Sequence, residues 1–349
     1  MLMANHIEYA DIVCGLAWGD EAKGKIVADL VKTGNYDWVC RWNGGSNAGH
    51  TVYVDGKKYN TNIIPSGIFH NIPCFIGPDC YVNITDLERE MKYLKENGFN
   101  TNLVSISPQA HVVTSIHKEE DSKFHTIKQG STKKGIAPCA GDKFRRIGIR
   151  METFIKINNE AFEFEVFNPR IHVMQPEQSL YGRILCEGAQ GFWLDINYGS
   201  YPYVTSSYTL PYSACSLGFL PQHIRNIYGA AKIYDTRVGN DPCFDETITD
   251  VDDTNIIAIE GNEFGTTTGR MRKVNWLNVD KLEKAVQLSG CTHLIVSKVD
   301  IFEKLNIYKT LDKEFSSMKE LQKYIKDRLL SNCPYLKEVI FSSNPYTVL

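Results

Sequence analysis

Gly19, Gly24 and Lys25 fall in the stretch WGDEAKGKI with the spacing Gly-x-x-x-x-Gly-Lys, a pattern able to cradle a phosphate chain. Backbone N–H groups of such a loop, at the start of a helix, favour anionic oxygens, and Lys23 or Lys25 adds charge. In the common form of this loop a Ser or Thr follows the lysine and holds Mg²⁺. Here the next residue is Ile26, which cannot ligate a metal. The acidic pair Asp20-Glu21 sits inside the loop instead, so a carboxylate stands beside phosphates that it should repel.

Further segments set polar groups among small residues. GGSNAGHT, Gly44 to Thr51, places the amide of Asn47 and the imidazole of His50 among glycines that let a backbone approach a ligand closely. GSTKKGIAP carries hydroxyls and lysines, and Arg145, Arg146 and Arg150 follow it. Those arginines suit bidentate phosphate or carboxylate contacts, and equally a solvated face. GTTTGRMR sets three threonines beside Arg270 and Arg272, either a carboxylate cradle or a polar surface loop. In SKVD, Ser297 to Asp300, the Lys-x-Asp pattern resembles the guanine-reading element of GTP-binding proteins. Guanine offers N1–H and an exocyclic amine as paired donors to a carboxylate. Adenine offers neither, so Asp300 favours GTP over ATP.

Strands and helices must bring these segments together. Ile12-Val13-Cys14, Trp38-Val39-Cys40, Ile184-Leu185-Cys186 and HLIV are short apolar runs, each followed by a polar, mostly Gly-rich segment. Ile26, Val27, Leu30 and Val31 recur at helical spacing after the first loop. Asp55-Gly56 signals a hairpin turn. Thr85-x-x-Glu88 reads as a capping box for a helix with Leu87, Met91 and Leu94 on one face and Asn97-Gly98 as its stop. A capped helix is expected from Asn278 to Gly290, and a last one from Ser317-x-x-Glu320. Strands alternating with helices argue an α/β fold: a large, mainly parallel sheet with helices on both faces. In such sheets ligands bind at the carboxyl ends of the strands. No repeat or Pro/Ser-rich linker breaks the chain, so one domain over residues 1–349 is expected.

Composition excludes other classes. With 349 residues, 43% hydrophobic and 23% charged, there is material for a large core. A net charge of −3 gives no electrostatic support to non-specific nucleic-acid binding. No apolar run approaches the roughly 20 residues that span a bilayer. The N-terminus lacks a basic region followed by a long apolar run, so no signal peptide is expected. The 10 cysteines form no C-x-x-C pair, as expected of reduced thiols in a cytoplasmic protein.

Taken in order, WGDEAKGKI, NGGSNAGHT, IPSGI, GSTKKGIAP, EGAQG, YPYVTSS, TRVG, GNEFGTTTGR and SKVD resemble the adenylosuccinate synthetase family, from residue 18 to 300. The resemblance implies a homodimeric cytoplasmic enzyme of purine synthesis. It would join IMP and L-aspartate into adenylosuccinate while GTP becomes GDP and phosphate. Asp20 would take the proton from N1 of IMP, so that O6 attacks the γ-phosphate. The aspartate amine would then displace the 6-phosphoryl group. Asp20 and the carbonyl of Gly49 would hold Mg²⁺, whose charge, with that of the lysines, offsets the repulsion noted above. His50 would donate a hydrogen bond or proton to the phosphates, and the Gln190 amide would face the base.

Carried over residue by residue, Gly19, Glu21, Lys23, Gly24, Lys25, Gly49, Thr51, Arg272, Lys298, Asp300 and Ser342 match GTP-binding positions. Asp20, Lys23, Asn47, Thr132, Gln190, Thr205, Val238 and Arg270 match IMP positions, and Arg146 matches an arginine that reaches IMP from the neighbouring subunit. Thr266, Thr267, Thr268, Arg270 and Arg272 match the aspartate loop.

The chain also departs from the family pattern. Ala22 stands for a usual glycine, Ser46 for a common His, Lys133-Lys134 for Gly-Arg and Met271 for Arg, while Asn240-Asp241 is unusual. Ala22 and Ser46 are expected to reshape the neighbourhood of the acceptor. The chain is short, as in archaeal and viral members. Two other readings stay open. One is the sister activity of certain phages, 2-aminoadenylosuccinate synthetase acting on dGMP, which typically has Ser where this chain has Asp20 and lacks the guanine-reading Asp. The other is a non-catalytic GTP-binding switch, which leaves EGAQG, YPYVTSS and GTTTGR without a role.

Overall fold

The computed structural model describes residues 6–125, 130–161, 172–174, 179–265, 269, 271–344, 346 and 348. Its strands, in chain order, are β1 (Ile7–Gly15), β2 (Trp38–Arg41), β3 (Gly44–Gly45), β4 (His50–Val54), β5 (Lys57–Thr61), β6 (Cys74–Ile76), β7 (Cys80–Val82) and β8 (Val104–Ile106). The series continues with β9 (His111–Val112), β10 (His172–Val173), β11 (Gly182–Glu187), β12 (Ile224–Lys232), β13 (Tyr234–Arg237), β14 (Lys273–Trp276), β15 (His293–Ser297) and β16 (Glu338–Phe341).

Nine of them form one sheet in the order β10-β8-β6-β2-β11-β1-β12-β15-β16. Every pairing in it is parallel. The reason lies in the apolar runs. Alternate side chains of a strand face opposite sides, so a strand apolar at every position needs cover on both faces. Ile12, Cys14, Cys40, Ile184, Cys186, Leu294 and Val296 point into one core. Their neighbours Val13, Val39, Leu185 and Ile295 point into another, which Ile26, Val27, Leu30 and Val31 of helix α1 (Lys23–Thr33) complete. Burying each such aliphatic side chain contributes about 1.5–3 kcal/mol.

Smaller sheets frame the large one. β4 and β5 make the expected hairpin, whose turn residues Asp55 and Gly56 have φ of 49° and 76° as a type I′ turn demands. β13 pairs with β14 antiparallel. The helices Val279–Ser289, capped by Asn278 and ended by Gly290, and Met318–Asn332, capped by Ser317, stand where their sequences put them.

Two expectations need correction. The helix Ile84–Glu96 starts two positions earlier than its capping-box reading: Asn83, not Thr85, is the cap, accepting from the Asp86 N–H. The strand β12 has no counterpart in the sequence reading, although it lies beside β1. Arg225 and Asn226 mask its first half, and Gly229 interrupts it because a Cβ there would come within 2.4 Å of Leu16.

The 10 cysteines are free thiols, and most are buried. Burial pushes the Cys14 thiol up to about 12, so it stays protonated. Among the described residues, no helix is long and apolar enough to cross a membrane.

Candidate active-site cleft

The carboxyl ends of β1, β2, β11, β12 and β15 open onto one cleft of about 730 Å³. The loop after β1 forms its floor. Glu21 is 1% exposed and turns under this loop, accepting from the N–H of Gly19 at 2.7 Å and from Lys23 Nζ at 2.7 Å. Its side chain therefore does not line the cleft. The loop carries its own counter-ion inside. Asp20, the other member of the acidic pair, lines the cleft.

The loop is tightly wound. Gly19, Asp20 and Ala22 all have positive φ, at 92°, 64° and 65°, and Ala22 is the N-cap of α1. Ala22 therefore occupies a left-handed position where the family pattern has glycine. At Gly24 a Cβ would sit 2.9 Å from that of His50, so this glycine lets the first turn of α1 close on β4.

Of the site residues carried over from sequence, Gly19, Asp20, Lys23, Gly24, Lys25, Asn47, Gly49, His50 and Thr51 line the cleft together with Thr132, Gln190, Thr205, Val238, Arg272, Lys298 and Asp300. Ser342 is buried just behind the wall, where its Oγ accepts from Lys25 Nζ. Arg146 is exposed and does not line the cleft of its own chain. Thr266, Thr267, Thr268 and Arg270 lie outside the described residues.

His50 sits in a buried cluster. Its Nδ1 faces Glu187 Oε1, and Arg41 Nη1 lies 3.2 Å from its Nε2. A guanidinium only donates, so Nε2 accepts and the ring proton is on Nδ1, directed at Glu187. Burial and the adjacent Arg41 lower His50 to about 4, leaving it neutral. Burial alone would raise Glu187, but His50, Arg41 and the Ser66 N–H outweigh it and hold the carboxyl at about 2. With Arg41 beside it, Nε2 is here an acceptor rather than a donor.

A second buried network backs Asp20. Its Oδ2 accepts from Arg272 Nε at 2.8 Å, and Arg272 Nη1 donates to Glu263 Oε2 at 2.5 Å. Glu263 also takes Lys232 Nζ at 2.8 Å and the Tyr234 hydroxyl at 2.7 Å. Burial would raise this carboxyl too, yet Lys232, Arg272 and Lys298 bring it to about 2. Gln190, at φ 58°, has a buried Oε1 with no hydrogen-bond partner.

Sequence reading missed Glu187, Arg41, Lys232 and Glu263 as members of the site. Signals existed: Glu187 opens EGAQG, and Arg41 and Lys232 are charges at the carboxyl ends of apolar runs. The departures are also placed. Ser46 Oγ donates to Asp86 Oδ2 at 3.0 Å, and Lys134 reaches the same carboxylate, so Ser46 leaves the cleft's lining alone, contrary to expectation. Asp241 caps the helix Pro242–Asp245 and pairs with buried Arg237. Met271 is exposed, and nothing in the structure explains its choice.

A carboxylate and a carbonyl, Asp20 and Gly49, line one cleft with several cations. That donor set suits Mg²⁺, which usually takes one or two carboxylates and completes its shell with substrate phosphates and water. Among the described residues no cluster of three His, Cys, Asp or Glu side chains offers an all-protein metal cage.

Comparison with known proteins adds the family. The model of the family described as adenylosuccinate synthetase matches residues 12–168 and 165–312. The adenylosuccinate synthetase of Helicobacter acinonychis is 39% identical over 85% of this chain and 80% of its own length. That of Borrelia duttonii is 33% identical over 94% of this chain and 84% of its own. Among solved structures, the fully ligated adenylosuccinate synthetase of Plasmodium falciparum aligns with a TM-score of 0.78 and 26% identity, covering 97% of this chain and 98% of that one. The succinoaminodeoxyadenylate synthetase of cyanophage S-2L, bound to dGMP and dATP, shares the fold at a TM-score of 0.73 and 19% identity, covering 98% and 94%.

Proposed function

The chain belongs to the adenylosuccinate synthetase family, and from that premise we propose how its cleft joins IMP to L-aspartate with GTP as the energy donor. The observation that carries the reading is that the Asp20 carboxylate and the Gln190 amide line one cleft floored by the glycine loop after β1. Hypoxanthine gives the carboxylate its N1 proton to take and offers O6 to the amide N–H.

O6 of IMP is a poor leaving group, and the γ-phosphate corrects that. Asp20 accepts the N1 proton as O6 attacks the γ-phosphorus, and the bond to the β-phosphate oxygen breaks, releasing GDP. The aspartate amine then attacks C6 and expels phosphate. The N–H groups of the loop and of the first turn of α1 face the phosphates, and Lys23, already paired with Glu21, adds positive field rather than a free charge. Asp20 and the Gly49 carbonyl would hold Mg²⁺, which would supply positive charge beside the phosphates. Glu187 orients His50 through Nδ1, and Arg41 stands ready beside its Nε2 to follow the developing charge.

Asp300 reads guanine at the far end of the cleft, while Asn47, Thr132, Thr205 and Val238 surround IMP. Arg146 is left exposed by its own chain, which supports a contact with IMP bound to a dimer partner. Arg272 holds Asp20 until a substrate carboxylate competes for its guanidinium.

The dGMP reading shares the fold and fails on Asp20, whose bulk and charge stand where that activity typically has Ser. The test is kcat/KM for IMP, dGMP and GMP with GTP, aspartate and Mg²⁺. IMP should lead by at least about tenfold, since the absent 2′-hydroxyl and the extra amine each cost about 1–3 kcal/mol. Comparable use of dGMP would move the protein to the sister activity, and GTP turnover independent of IMP and aspartate would make it a switch.

A further inference from the structure

The lysine of a phosphate loop ordinarily ends on phosphate oxygens. Lys25 does not. Its Nζ donates to Ser342 Oγ at 2.7 Å and to the Asn344 carbonyl at 2.6 Å, 317 and 319 positions along the chain. Two further ties hold the same segment. The Val348 N–H donates to Asp29 Oδ2 at 2.8 Å, one turn along α1 from Lys25. Tyr346 packs edge-on against Tyr53 of the β4–β5 hairpin, with ring centroids 5.1 Å apart.

The charges around the ammonium place it at the base-reading end of the cleft. Burial lowers Lys25 to about 8, Asp29 and Asp300 work against that, and Lys298 works with it. Lys298 and Asp300 are the SKVD pair. Lys25 thus lies between the phosphate-loop helix, to which it belongs, and the SKVD corner, and its hydrogen bonds go to neutral oxygens of the segment following β16. The Ser342 N–H bonds to the Val296 carbonyl at 2.8 Å, so that segment is also laced to the strand leading into SKVD.

We propose that Lys25 is a positioning residue for base recognition: it docks residues 342–344 onto α1 and so fixes the wall against which Asp300 reads guanine. The inference rests on the reading of Asp300 given above. A phosphate ligand and a base-positioning residue make different demands. A phosphate ligand serves GTP and ATP alike, because their triphosphates are the same. A residue that sets the base wall serves GTP and has nothing to offer ATP.

The experiment measures kcat/KM for GTP and ATP with IMP, aspartate and Mg²⁺ on the full chain, Lys25→Met and Ser342→Ala, with hydrogen exchange at the Val348 amide. Lys25→Met should cut the GTP-over-ATP ratio by about tenfold, and Ser342→Ala by about threefold because Lys25 keeps the Asn344 carbonyl. The Val348 amide should exchange faster in both. Equal losses for GTP and ATP in Lys25→Met make Lys25 a phosphate ligand and overturn the inference, while the reading of Asp300 stands. If the unmodified protein uses ATP as well as GTP, the reading of Asp300 falls and takes the inference with it. Should Lys25→Met fail to fold, an unchanged ratio in Ser342→Ala overturns the inference alone.

Discussion

Arg272 donates through Nε to Oδ2 of Asp20 at 2.8 Å, so the carboxylate proposed as the base is gripped by a guanidinium from just before β14. Glu263 grips Arg272 in turn, and Lys232 and Tyr234 grip Glu263. The carboxylate's direction is therefore set by a buried chain of charges rather than by its own loop.

Asp20→Asn should bind GTP and IMP and make almost no product. An amide keeps the shape and the contact to Arg272 through its oxygen, but it cannot take the N1 proton. Loss of a general base costs about 10²–10⁴-fold, and loss of a metal ligand adds to it. Steady-state rates within about threefold of the parent would remove Asp20 from the mechanism.

Ala22→Gly should raise stability by about 1 kcal/mol, the cost of holding an L side chain in the left-handed region. The residue caps α1 at φ 65°, where glycine is at ease. Urea unfolding of the two proteins decides it, and a lower midpoint for the glycine variant would mean that the Ala22 methyl contributes more than the backbone loses.

Glu90 gives a pH signature. It is buried and accepts from the N–H groups of Asn62, Ile63 and Ile64, at 2.8, 3.1 and 3.1 Å. Burial outweighs those contacts and raises the carboxyl from 4.5 to about 7. Across that window the folded chain keeps a proton that the unfolded chain has released, so stability is greatest below the lower value and falls as pH rises through the upper one. The loss is at most about 3 kcal/mol. Glu90→Gln should therefore show a flatter fall in melting temperature between about pH 5 and pH 8. Parallel curves would mean that Glu90 titrates normally. The site feels this group indirectly, because Arg41 donates to the Asn62 carbonyl while its other nitrogen faces His50.

Arg146→Leu should raise the KM for IMP and leave the melting temperature within a degree or so, since the side chain is exposed. Mixed with Asp20→Asn, it should regain activity in hybrid dimers, where one site receives both unaltered residues. If subunit exchange is demonstrated by mass and no activity returns, Arg146 serves only its own chain.

The parts legible in sequence were those whose signal is contiguous. The turn at Asp55-Gly56, the caps Asn278 and Ser317 and the phosphate loop each declare themselves within a few residues. Glu187, Arg41, Lys232 and Glu263 could not be read that way, because each acts on a partner from another segment of the chain. Glu187 meets His50 137 positions away, and only the order of the strands brings them together. Strand β12 stayed hidden because its glycine answers to Leu16 on a different segment, not to its own neighbours. Glu21 shows the converse: its place in the motif is plain, but only the tight winding of the loop reveals that its side chain turns to the Gly19 N–H and Lys23.

The strand order also governs how the molecule comes into being. β1 leaves the ribosome first, yet it lies between β11 and β12, and its Asp11 pairs with Asn226, 215 positions later. Its apolar residues must wait for well over half of the chain before both edges are covered. Parallel pairings of such long range form slowly, and unpaired apolar edges invite association with other chains meanwhile. The glycine loop after β1 is thus made well before the strands that flank β1. Expression yield should respond to substitutions in β11 and β12 more sharply than equilibrium stability does, with aggregation during synthesis as the visible cost.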